Sequence, residues 1–172
     1  MVLEERAEER KIVEQLARKA LRHPDLGRRT EILHIWHDTS FFDSRSWTVF
    51  ESRDGGLAVR RVRWDQAADM ARLTDPLVGM REGFHARPTL TVQDVPVSSD
   101  AVSVWLDELT RIRIQVRVRH WIQADGERHG IRLDSSNLEL SWPSSGPEEW
   151  KDLTAWVGRV MDQLEAPFRG DP

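Results

Sequence analysis

Residues 111–122, RIRIQVRVRHWI, alternate apolar and polar side chains through most of their length. Ile112, Ile114, Val116 and Val118 alternate with Arg111, Arg113, Gln115, Arg117 and Arg119. Successive side chains of a strand point to opposite sides of a sheet, so this spelling predicts a strand with one apolar and one cationic face. Asp125-Gly126 is the signal of a two-residue hairpin turn. A bend centred there sets Val118 opposite Leu133, His120 opposite Ile131 and Ile122 opposite His129, and the apolar faces coincide. A second bend at Ser135-Ser136 sets Leu133 opposite Leu138, Ile131 opposite Leu140 and His129 opposite Trp142. It is the weaker of the two, because serine disfavours positive φ. Together they predict a three-stranded antiparallel C-terminal meander with one buried face.

The rest of the chain reads as mixed helices and strands. Over residues 2–22, Val13, Leu16, Ala17, Ala20 and Leu21 recur at helical spacing, with acids at the start and basic residues at the end, as the helix dipole favours. Glu14 and Arg18 form an i,i+4 pair. The stripe is narrow, which suits a peripheral helix on the domain edge or one packed on a second subunit. Strands are expected at 30–37, 46–52, 56–64 and 89–95, with a hairpin at Asp54-Gly55-Gly56. Asp65 caps a short helix, and Ser98 or Ser99 caps a longer one with Val102, Leu106 and Leu109 inward. Ser145-Gly146-Pro147-Glu148 opens a terminal helix whose inward stripe is Trp150, Leu153, Val157, Val160, Met161 and Leu164. Residues 74–88 read as loop.

These elements predict a single α+β domain over residues 1–172. A mostly antiparallel sheet of about six or seven strands would be covered by a middle helix and a C-terminal amphipathic helix. This order is compatible with one sheet or with two half-sheets, one from residues 30–64 and one from 89–142.

Composition excludes several classes of function. There is no cysteine, hence no disulfide, thiolate nucleophile or cysteine-bound zinc. The net charge of −4 disfavours general nucleic-acid binding. No signal peptide and no membrane span is legible, so a cytoplasmic protein without membrane contact is expected. Dinucleotide, phosphate-loop, serine-hydrolase and zinc-protease motifs are missing, and the aspartates sit at turn and cap positions, so no cofactor is expected.

The arginine row admits two readings. In the register above, Arg119 lies beside Arg132, which faces Glu139, and Arg117 faces Asp134. Opposite charges across strands contribute roughly 0.2–1 kcal/mol each, so the row reads first as a charge ladder neutralised within the sheet. Otherwise Arg111, Arg113, Arg117, Arg119 and Trp121 form a contact face for a protein partner or self-association, since Arg and Trp are enriched at interfaces. His120 and His129 fall diagonally adjacent on the inner face and make a candidate polar site. His34 and His37 have ligand chemistry, but three residues apart on a strand they face opposite ways. The reading of function is therefore a non-catalytic binding or interaction protein. The alternative is a hydrolase, possibly metal-dependent, using His120 with His129 or His34 with His37.

The tail, from Asp125-Gly126 through SWPSSGPEEWKDLTAWVGRVMDQL, resembles a pattern of short bacterial proteins. In these a DG hairpin precedes a Trp, a PEEW helix start and an amphipathic terminal helix. The resemblance covers about the last third of the chain. It concerns structural residues only and implies no activity.

Overall fold

Three runs in succession, each rich in β-branched and aromatic residues, build the middle of the sheet. They are β1 (Glu31–Asp38), β2 (Ser44–Glu51) and β3 (Leu57–Trp64), paired as antiparallel neighbours. The computed structural model describes residues 2–39, 43–75, 87–115, 126–143 and 146–169. The β2–β3 turn is closed by Ser52 N–H donating to the Gly56 carbonyl at 2.8 Å. Gly55 takes the positive φ of 82° that the turn requires.

β4 (Leu90–Val97) adds to the outer edge of β3, while β5 (Arg128–Leu133) and β6 (Leu138–Pro143) add beyond β1. The result is one six-stranded antiparallel sheet in the order β4-β3-β2-β1-β5-β6. It does not divide into half-sheets. The strands of residues 89–142 flank the 30–64 block on both sides, because each of its outer edges had unpaired backbone groups to satisfy.

The β5–β6 hairpin has the expected register: Leu133 faces Leu138, Ile131 faces Leu140 and His129 faces Trp142. The turn is a single 3₁₀ turn, Asp134–Ser136, and Asn137 takes the left-handed conformation at φ 48°. Asparagine tolerates that region, which relieves the serines of it. The third strand of the meander differs from the expectation. The other edge of β5 is occupied by β1, with Ile35 facing Ile131 and His34 facing Arg132. A strand has two edges, and those of β5 are taken by β1 and β6, where the Asp125-Gly126 bend implied a strand of residues 111–122 in the place of β1. Residues 112–115 are not strand, and Arg111 ends a helix. Arg117, Arg119, His120 and Trp121 lie outside the described residues.

Helices cover both faces. α1 (Val2–Arg22) buries Val13, Ala17 and Leu21 against Val62 and Trp64, so it is part of the core's second layer. The Glu14–Arg18 pair forms at 2.8 Å. α2 (Gln66–Thr74) is capped by Asp65, whose side chain accepts from Ala68 N–H at 2.9 Å. The opposite face carries α3 (Ser99–Arg111) and, after a 3₁₀ turn, α4 (Lys151–Glu165). Val102, Trp105, Leu153, Trp156, Val157, Val160 and Leu164 join Leu33, Ile35, Val49 and Ile131 there. Of the seven tryptophans among the described residues, Trp47, Trp105, Trp142, Trp150 and Trp156 lie in or on this core, Trp64 is buried under α1, and Trp36 is buried as well, as their ring area favours.

Two close contacts lock the arrangement. Gly130 faces Trp36 across the β1–β5 ladder, and a Cβ on Gly130 would lie 1.9 Å from the indole. Asp69, fully buried, accepts from Trp64 Nε1 at 2.7 Å, from Thr89 N–H at 2.8 Å and from Thr89 Oγ1 at 2.6 Å. Arg72 Nη2 adds a charged bond at 3.0 Å. One carboxylate thereby ties together the end of β3, α2 and the entry to β4.

Candidate functional site

Alternation along β1 sends His34 to the α1 side and His37 to the side of α3 and α4. The two share no site. His34 is fully buried, with Nδ1 2.8 Å from Thr48 Oγ1. Burial, reinforced by the charge of Arg132 and by His23, pushes its pKa down to about 3, so it is a neutral part of the interior.

His37 meets a different histidine. It faces His129 directly across the β1–β5 ladder, and their rings stack with centroids 4.5 Å apart and planes within 5°. His129 in turn stacks on Trp142 at 6.3 Å. Glu127, one residue before β5, places Oε2 3.7 Å from His37 Nε2. One donor atom from each of His37, Glu127 and His129 can be chosen so that all lie within 4.8 Å of one another. Burial lowers the pKa of His129 to about 4, and the neighbouring His37 acts in the same direction. Burial also lowers that of His37, against the opposing pull of Glu127. Both rings are neutral near pH 7, with lone pairs free of protons.

His37 and Glu127 of this trio border an open cleft of about 660 Å³ between the β1–β2 end of the sheet and the C-terminal part of α4. His37 and Glu127 line one side, and Asp43, Arg45, Trp47, Asp162, Glu165 and Arg169 line the rest. Much of this charge is already satisfied. Glu165 accepts from Arg45 Nη1 at 3.0 Å, Arg61 Nη1 at 2.9 Å and Trp47 Nε1 at 2.9 Å. Asp43 is held by Arg63 Nε at 2.8 Å, and Asp162 by Arg169 at 3.3 Å. Glu127 stands apart, because its ion-pair contact is with an imidazole that is neutral near pH 7.

The sequence candidates are thus partly rearranged. His129 is at the site, but its neighbour is His37, while His120 is outside the described residues. Glu127 was missed altogether. A signal existed: Leu33, Ile35 and His37 read in reverse order as His129, Ile131 and Leu133. Two strands with mirrored apolar–apolar–histidine spellings can pair antiparallel with like against like. Arg111 and Arg113 are both exposed, with Ile112 and Ile114 packed against the core between and beside them.

Chemically, an imidazole whose pKa lies near 4 is a weak general base at neutral pH, where catalytic bases are tuned close to the working pH. The same neutral lone pairs are suited to ligating a cation. No protein-family model, curated protein or solved structure matches this chain. No described helix is long and apolar enough to cross a membrane.

Proposed function

We propose that this chain is a non-catalytic binding protein that meets an acidic protein partner through an arginine surface at the end of α3. One observation carries the reading. Arg111 and Arg113 are exposed, and among the described residues no carboxylate lies within ion-pair distance of either. Glu108, close to both in sequence, is engaged by Arg159 at 2.8 Å. Other arginines are neutralised internally, Arg60 by Asp94, Arg61 and Arg45 by Glu165, and Arg132 by Glu31. What sets Arg111 and Arg113 apart from other exposed arginines is their place side by side at the end of α3, with Ile112 and Ile114 packed on the core. A guanidinium left without an internal partner is suited to a carboxylate on another molecule, and arginine is enriched where proteins meet. Arg117, Arg119 and Trp121 enter the proposed surface on sequence alone.

The test is charge reversal. The R111E/R113E double variant is compared with wild type for quantitative capture of partners from lysate, with the two melting curves superimposed first. A severalfold loss of the captured species is expected. Equal recovery would remove the surface from the proposal.

A hydrolase is the second reading, and one observation favours it: His37, Glu127 and His129 converge beside an open cleft. A hydrolase built on His34 with His37 has no such support, because the sheet lies between them.

A further inference from the structure

We propose that His37, His129 and Glu127 form a binding site for one divalent transition-metal ion of the zinc type, open towards the cleft beside α4. The site is independent of the arginine surface.

The donor set argues for it first. Two imidazole nitrogens and one carboxylate oxygen suit zinc, cobalt, nickel or ferrous iron, whereas calcium and magnesium prefer oxygen alone. The three donors come from two adjacent strands and the residue that leads into one of them. The backbone of the two histidines is therefore fixed by the ladder, which lowers the ordering cost of closing around an ion.

The present contacts leave the donors unspent. His37 Nε2 is buried from solvent without a hydrogen bond, and its approach to Glu127 at 3.7 Å is too long for one. A neutral imidazole ligates through the lone pair of the nitrogen that carries no hydrogen, so binding need displace no proton from either ring. The neutral rings and Glu127 together carry one negative charge, which an ion of charge +2 complements.

The geometry also dictates how binding proceeds. Bond lengths of about 2.0–2.1 Å place tetrahedral ligands roughly 3.3 Å apart, so donors that all lie within 4.8 Å of one another can close on an ion by small inward movements. An ion bound along a lone pair lies in the plane of its imidazole. The two rings are within 5° of parallel and stacked, so no point near them lies in both planes. One ring must rotate about its Cβ–Cγ bond. Binding therefore dissolves the His37–His129 stack while the backbone ladder stays intact. Three protein ligands leave a fourth position open, and the cleft supplies the space for water or a small ligand there.

The experiment uses the full chain with any affinity tag removed. Calorimetric titration with ZnCl2 is expected to show one site per chain. CoCl2 is expected to give the visible absorption of a tetrahedral nitrogen–oxygen site, displaced by zinc. H37Q and H129Q should each weaken zinc by more than the roughly 10–100-fold that loss of an outer hydrogen-bond partner costs, and E127Q should weaken it less. Should H129Q fail to fold, H37Q and E127Q carry the test, since both side chains face the cleft. Absence of a stoichiometric zinc or cobalt site in wild type overturns the proposal. So does zinc binding that H37Q and E127Q leave unchanged, which would place the ion elsewhere.

Discussion

Arg132 on β5 grips Glu31 at the start of β1 through two parallel bonds, Nε to Oε1 and Nη2 to Oε2, each 2.7 Å. Its Nη1 donates to the Arg22 carbonyl at 2.8 Å, at the end of α1. One side chain thus joins the strand pair to the helix that covers it. Glu139 does face Arg132 across the β5–β6 ladder, yet the bidentate partner is Glu31. Planar guanidinium and carboxylate groups align best in such a fork.

A double-mutant cycle separates the two carboxylates. R132M should destabilise the fold by about 2 kcal/mol, since charged, partly buried hydrogen bonds are lost. Coupling between R132M and E31Q should be on the order of 1 kcal/mol, and coupling between R132M and E139Q close to zero. Urea unfolding measures all the variants. Equal coupling to both acids would contradict the assignment of Glu31 as the partner.

Two glycines give opposite outcomes. G130A drives a methyl into Trp36, whose ring atoms lie 1.9, 2.1 and 2.5 Å from the new Cβ position. Trp36 is itself buried, so the clash is relieved only by moving the β1–β5 ladder, and a loss of about 3 kcal/mol or more is expected. Gly158 lies inside α4, and nothing stands within 4 Å of the place its Cβ would take. G158A removes backbone freedom from the unfolded chain and should add about 0.5–1 kcal/mol. Denaturation midpoints that move in the same direction for both variants would refute this pair of expectations.

The buried histidines set an acid limit. His34, with a pKa near 3, and His129, near 4, both lie below the usual histidine value, and His37 is shifted the same way. Below about pH 6.5 the unfolded chain takes up protons that the folded chain refuses, so stability must fall as pH falls. The loss runs from about 6.5 down to the folded values and is absent above that window. Its steepest possible slope is about 1.4 kcal/mol per pH unit for each such group. Melting temperatures measured from about pH 7.5 to 5.5 avoid most carboxylate titration. H34Q should flatten the decline; an unaltered slope would show that His34 is protonated in the folded state.

Local spelling was sufficient for most elements. A strongly apolar run gave the first strand of residues 30–64, the Asp54-Gly55-Gly56 hairpin signal gave the two that flank it, and helical stripes gave α1, α3 and α4. The β5–β6 register was legible too, because a one-residue slip would have turned Ile131 and Leu140 to opposite sides. These are decisions between near neighbours in the chain, where periodicity and turn chemistry act directly.

Only the tertiary structure decided which strand lies beside β5. The alternation at 111–122 was compatible with that place, but β1 also offered a matching apolar face and an edge to be paired, and β1 holds it. Strand pairing satisfies backbone groups that are alike in every sequence, so an alternating run specifies which face is buried without naming its neighbour. The meeting of His37 with His129, the addition of Glu127 and the choice of Glu31 for Arg132 all follow from that one pairing.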